Sequence, residues 1–313
     1  MRVVVGLDGS GPSEVARQLV GSIGWPVGTQ FVFVTAYGGR PRPHSEAASV
    51  GWFHAANEST PRPDLLDELD IMAEPLRRAG YVVEVRAEAG HAGQVLRELA
   101  GEGAADLVVV GSRGHGAAAS AILGSVSAEL VDHSACPVLV ARSPRVSRAM
   151  VATDGSTSAV SIPAALSRWG ILRGVQVDVL SVVQRTLDAN DYLVTAWAPP
   201  NEMVRPGDDD VTRRHQHFVD NMVDDLANAG FPATGLVRHG DPAREILAGA
   251  WEIQDDLIIT GSRGLGDLQR IMSGSVAHHV LLHSRSSVLI MRGHVPARLA
   301  ERSRVAVRSL NAV

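Results

Sequence analysis

The chain has 313 residues, 45% of them hydrophobic, and a formal net charge of −5, enough length for two domains with their own cores and no basic field for duplex nucleic acid or an anionic membrane. Every one of its 29 Lys+Arg residues is Arg, so a Walker A phosphate lysine and a Schiff-base lysine are both excluded. Cys136 is the only cysteine, no run of about 18 apolar residues occurs, and the apolar run after Met1 is far too short for a signal peptide; the expected setting is the cytoplasm.

In chain order, Val3, Val4 and Val5 predict a strand, Leu7-Asp8-Gly9-Ser10 a polar turn, and Val15, Leu19, Val20 and Ile23 one face of a helix. A strand over 31–36 is followed by a Pro/Gly/Ser-rich interval, 38–63, and a helix carrying Leu65, Leu66, Leu69, Met72 and Leu76. The alternation continues with a strand at 81–87, a helix at 93–101, a strand at 106–110, a glycine motif, a helix to about His133 and a strand at 137–141. Strands alternating with helices read as a parallel sheet covered on both faces. The same order restarts at Met150, with strands near 176–183, 233–238, 256–260 and 287–291 and a polar interval at 184–211. Two α/β domains are therefore expected, 1–142 and 150–292, joined by a linker at 143–149 and followed by an Arg-rich tail at 293–313.

The repeat is explicit in GSRGHGAAASAILGS at 111–125 and GSRGLGDLQRIMSGS at 261–275, each following an apolar run. Gly111, Gly114 and Gly116, matched by Gly261, Gly264 and Gly266, let backbone amides approach an anion without a Cβ in the way. Gly124-Ser125-Val126 and Gly274-Ser275-Val276 then open the next helix, whose first amides are unpaired and carry the positive end of its dipole. Loop and helix start could converge on a polyphosphate; the plainer alternative makes the serines N-caps and the glycines tight turns.

Asp8 and Asp154 follow the first strand of each repeat, where the ligand crevice of an open parallel sheet lies, and suit a ribose, a base edge or a phosphate-bound cation. An Asx turn or N-cap is the alternative. Gly6 would let the strand end approach a ligand, and Ala152 in its place makes the second site tighter. Arg113 and Arg263 could pair with phosphate or form surface salt bridges. His133 and His283 suit helix carboxyl ends, while His278-His279, His215-Gln216-His217 and the run Asp208-Asp209-Asp210 read as solvated. There is no Gly-x-Ser-x-Gly elbow, no His-Glu-x-x-His and no dinucleotide fingerprint; no catalytic residue is assigned.

Gly-x-x-Gly, nine residues, then Gly-Ser after a parallel strand, together with an early Asp, resembles the ATP-binding type of the universal stress protein family, here in tandem. The resemblance covers 1–142 and 150–292 and implies two doubly wound, flavodoxin-like five-stranded domains of the adenine nucleotide alpha hydrolase-like kind. It implies an ATP in each, with Mg2+, the triphosphate meeting Gly114, Gly124 and Ser125 or Gly264, Gly274 and Ser275. Asp8 and Asp154 would face the nucleoside or metal, and the backbone near Ala36 and Val182 the adenine. The family also pairs through its last strands, here 137–141 and 287–291, within one chain or between chains as a homo-oligomer. The expected function is regulation by nucleotide occupancy in stress or dormancy through a protein partner not identified by sequence. A slow ATP hydrolase or nucleotidyl-transfer enzyme and a nucleotide-free interaction module are the alternatives.

Overall fold

The computed structural model describes residues 1–38, 63–101, 105–114, 123–184, 208–262 and 275–292. In the first half β1 (Arg2–Gly6), α1 (Gly11–Ser22), β2 (Gln30–Gly38), α2 (Pro63–Arg78), β3 (Val82–Gly90), α3 (Ala92–Gly101), β4 (Leu107–Gly111), α4 (Ser125–His133) and β5 (Val138–Ala141) alternate. The second half follows with β6 (Arg148–Ala152), α5 (Thr157–Val160), α6 (Ile162–Trp169), β7 (Gln176–Val183), α7 (Asp208–Asn228), β8 (Ala233–His239), α8 (Pro242–Glu252), β9 (Leu257–Gly261), α9 (Ser275–His283) and β10 (Ser287–Met291). The valine-rich β1 and β4 are buried along nearly their whole length, as β-branched strands covered on both faces should be.

All strands join one ten-stranded sheet in the order β3-β2-β1-β4-β5-β10-β9-β6-β7-β8. Each half is a doubly wound parallel unit whose chain reverses its direction of travel between the first and fourth strands, and such a switch point leaves a crevice beyond the strand ends. β5 and β10 meet antiparallel, with Val140, Leu139 and Val138 opposite Val288, Leu289 and Ile290. Because that one pair is antiparallel, the carboxyl ends of the two sets of strands lie on opposite edges of the sheet.

Helices α1, α2, α6 and α7 cover one face, and α3, α4, α8 and α9 the other, so that each face has a core continuous through both halves. Where α1 is a single helix, the second half has α5 and α6, since Pro163 has no amide proton to continue the ladder.

Two matched arginines lock the halves together. The Arg142 guanidinium donates to the carbonyl of Leu281 in α9 at 2.6 Å, and Arg292 donates to the carbonyl of Val131 in α4. Each half thus satisfies an unpaired carbonyl near the end of the other half's last helix. The amides of Arg142 and Ser143 both donate to Ser287 Oγ at 3.1 Å.

Two sequence readings change. Residues 208–210, expected in a solvated loop, begin α7, where acidic side chains favour the positive end of the helix dipole. The strand opening the second half starts at Arg148, inside the expected linker.

The glycine ending the fourth strand has a packing role in both copies. A Cβ on Gly111 would stand 2.5 Å from the Pro12 backbone, and one on Gly261 would collide with Ser158 Oγ. The first turn of α1 in the first half, and α5 in the second, therefore rests directly on the strand end. At the opposite edge the halves differ, with Asp255 where the first half has Ala105. The Asp255 side chain is fully buried and neither oxygen has a hydrogen-bond partner among the described residues. Arg148 lies 3.8 Å away and is engaged with Asp178 at 2.5 Å.

Gly111→Ala should lower the stability by about 2–4 kcal/mol because backbone must move, whereas Gly21→Ala, in open space on α1, should raise it by up to about 1 kcal/mol; chemical denaturation of both variants checks this. Burial, and then Asp178, push the Asp255 carboxyl up to about 7, against an opposing pull from Arg148. In the unfolded chain it titrates near ~3.9, so between those values the native chain keeps a proton the unfolded chain has lost, and stability falls as pH rises through that window. Asp255→Ala should therefore flatten the stability profile, gaining of the order of 2 kcal/mol at pH ~8 and little at pH ~4; equal effects at both pH values would refute the assignment.

Candidate functional site

The first-half crevice opens where β1 and β4 end side by side. Gly9 has φ +73°, a conformation glycine adopts without steric cost. The turn it makes lets Asp8 Oδ1 accept from the Ser10 amide at 3.0 Å, while Ser10 Oγ accepts from the Ser13 amide and caps α1. The Asx-turn alternative for Asp8 is thus present in the geometry, whereas the N-cap role falls to Ser10. The other carboxylate oxygen faces the glycine loop, since a Cβ on Gly114 would lie 2.5 Å from Asp8 Oδ2. A side chain at position 114 would have to push this carboxylate aside.

The loop is also clamped at its base. The Gly124 amide donates to the Ser112 carbonyl at 2.8 Å, and a Cβ on Gly124 would come within 3.0 Å of Arg113 Cα. Gly124 is the N-cap of α4, with φ −75° and ψ 152°, and provides no side-chain cap. The amides of Ser125, Val126 and Ser127 precede the first helical bond, which the Ala128 amide makes to Gly124; among the described residues these three donors at the positive end of the dipole have no acceptor. By contrast, Ser10 caps α1 and Asp241 caps α8. Ser127 Oγ donates to the Gly111 carbonyl at 2.7 Å and holds the start of α4 at the strand end. Ser125 and Arg113 are exposed, and Arg113 makes no ion pair among the described residues. Burial first, and Arg113 second, push the Arg142 guanidinium down to about 10.

Beside Asp8, a cavity extends toward β2 and α2, lined by Gly9, Thr35, Leu65, Glu68 and Met72. Ala36, half-buried, follows Thr35 on β2. Gly6 is closely approached by Leu96 of α3, 2.8 Å from where a Cβ would stand.

The second half reproduces the turn and departs from the cavity. Asp154 Oδ1 accepts from the Ser156 amide at 2.9 Å, and Gly155 has φ +76°. Strand register makes Ser181 the counterpart of Thr35 and Val182 that of Ala36, because Val34 pairs with Gly6 and Leu180 with Ala152. Gly80 and Gly230, both left-handed, terminate α2 and α7 and place His215 where the first half has Leu65 and Phe218 where it has Glu68. His215, read from sequence as solvated, is half-buried and its Nδ1 lies 2.8 Å from Ser181 Oγ. The single Ser181 proton goes to the Thr153 carbonyl at 2.6 Å, so the imidazole Nδ1–H must be the donor. Burial, and then Arg214, hold the His215 imidazole below the usual histidine range; Asp154 pulls the other way and His239 adds to the lowering. Ser275 is exposed and Val276 half-buried at the start of α9. Gly116, Arg263, Gly264, Gly266 and Gly274 lie outside the described residues.

Sequence reasoning missed Thr35, Glu68, Ser181, His215 and Phe218. Aligning the repeat backward from Gly80 and Gly230 through the two helices would have found the last two. No group of three or more His, Cys, Asp or Glu suited to a metal occurs among the described residues.

The profile of the Universal stress protein family matches residues 1–142 and 146–292. Universal stress protein YxiE of Bacillus subtilis is 29% identical over 143 residues, 46% of this chain and 97% of that protein. Universal stress protein Rv2005c of Mycobacterium tuberculosis is 30% identical over 200 residues, 60% of this chain and 62% of that relative's length. In fold, the chain is similar to a universal stress protein from Archaeoglobus fulgidus, with a TM-score of 0.57 and 19% identity over 93% of this chain and 96% of that one. With both halves matched by the same profile, the chain belongs to the universal stress protein family as a tandem of two domains.

Proposed function

We propose that the chain is a cytoplasmic ATP-binding regulatory protein in which nucleotide occupancy controls conformation or partner binding during stress or dormancy. The observation that carries this reading is the uncapped start of α4, held beside Asp8 by the glycine loop at the switch point of the sheet. Three backbone donors, the Ser125 hydroxyl and the exposed Arg113 suit a polyphosphate. The second Asp8 oxygen suits a ribose hydroxyl or Mg2+ carried by the nucleotide, and the base would lie along the backbone near Ala36, beside the small cavity bounded by Thr35.

Binding alone supplies a regulatory output. ATP at a hundred times its dissociation constant stabilises the bound form by about 2.7 kcal/mol, enough to shift a modest conformational equilibrium toward it. A homo-oligomer or a protein partner that prefers that form would then respond to occupancy.

Nucleotide released on denaturing freshly purified protein, quantified by ion exchange, should be ATP. Gly114→Val should weaken ATP binding by roughly a hundredfold in calorimetry, because the added side chain occupies the space of Asp8 Oδ2. Asp8→Asn keeps the acceptor for the Ser10 amide and removes the charge; it should leave the melting temperature nearly unchanged and weaken Mg-ATP by about tenfold. Retention of no nucleotide, with no heat on adding ATP, would overturn the reading.

A further inference from the structure

The two crevices are built from the same turn but closed differently. In the first half the space over Gly9 is bounded by Thr35 and by Glu68 and Met72 of α2, and remains a cavity. In the second, the Phe218 ring packs onto Gly155 so closely that a Cβ there would stand 2.6 Å from it. The same stretch of α7 is tied down one turn earlier, where His215 donates to Ser181, which donates to Thr153 at the end of the first strand. His215 and Phe218 also pack edge to face, with ring centroids 5.8 Å apart. Val182 is 8% exposed and buried, whereas its counterpart Ala36 is only half-buried. None of this closure is available to the first half, which has Leu65 and Glu68 at the positions of His215 and Phe218.

We propose that His215 and Phe218 form a built-in latch over the base-side crevice of the second half, so that the two nucleotide sites of one chain are unequal and the first half is the high-affinity site. The inference rests on the nucleotide reading above and specifies its regulation. A ligand entering the second half must first displace the ring from Gly155 and part α7 from Ser181. Its apparent affinity is lowered by the fraction of molecules in which the latch is open. Glu68 and Phe218 are then the residues that set which half fills at low ATP.

Calorimetric titration of nucleotide-free protein with ATP and excess Mg2+ tests this directly. The wild-type chain should show two sites whose dissociation constants differ by at least about tenfold. Leu65→His with Glu68→Phe should abolish the tighter one. His215→Leu with Phe218→Glu, which installs the first-half pair, should bring the weaker site to within a few-fold of the tighter. Because the double variants alter packing, Phe218→Ala provides a milder test and should strengthen the weak site by about tenfold without changing the strong one. Two equal sites in the wild type, or a weak site unmoved by Phe218→Ala, would overturn the latch and leave the nucleotide function standing. No ATP binding by the wild-type chain would overturn that function and the latch with it.

Discussion

The antiparallel contact between β5 and β10 is the constraint on which the rest of the molecule depends. A five-stranded parallel sheet ends in an unpaired edge, and the edge here is a short run of buried aliphatic residues that would template association if left open. Pairing the two edges merges the halves into one sheet and makes both face cores continuous. It also fixes the geometry of function, since antiparallel joining sends the two sets of strand ends to opposite edges. The crevices therefore cannot share a ligand, and communication between them must pass through the central strands. Arg142 and Arg292 lie on that route. Arg142 follows the last strand of the first half and is anchored on the second half's α9.

Within each half, the residues that look like a binding motif divide into two kinds. Gly9, Gly111 and Gly261 serve the fold, the first through a left-handed turn and the others through direct contact with the first turn of α1 and with α5. Gly114 faces the Asp8 carboxylate of the first turn and Gly124 the loop backbone at Ser112 and Arg113, and Gly124 leaves the start of α4 without a side-chain cap. Asp8 belongs to both kinds, with one oxygen committed to the turn and the other facing the loop. A duplicated motif can thus serve packing at some positions and leave others, a few residues away, open at the strand ends.

Duplication also permits divergence. The buried Asp255 replaces Ala105 at one edge, and His215 and Phe218 replace Leu65 and Glu68 at the other. Neither change disturbs the strand register, which is parallel and equivalent in the two halves. The scaffold tolerates such differences because its stability resides in the aliphatic strands, while the loops and helix faces over the strand ends are free to vary.

The sequence by itself determined the strand and helix alternation, the duplication, the family, and the positions of Asp8, Asp154 and the glycines, because hydrophobic periodicity and backbone-permissive residues are local properties. It did not disclose that Gly6 and Gly111 answer to Leu96 and Pro12, since those contacts join elements far apart in the chain. Nor did it place residues 208–210 at a helix start, because a run of aspartates satisfies the pattern of a solvated turn as well as that of a first helical turn. Only the tertiary structure decided that His215 is a half-buried hydrogen-bond donor and that Phe218 covers Gly155. The physical reason is register: which side chain of α7 reaches the end of β6 depends on how the helix packs on the sheet, and that is settled by the whole core rather than by any stretch of sequence.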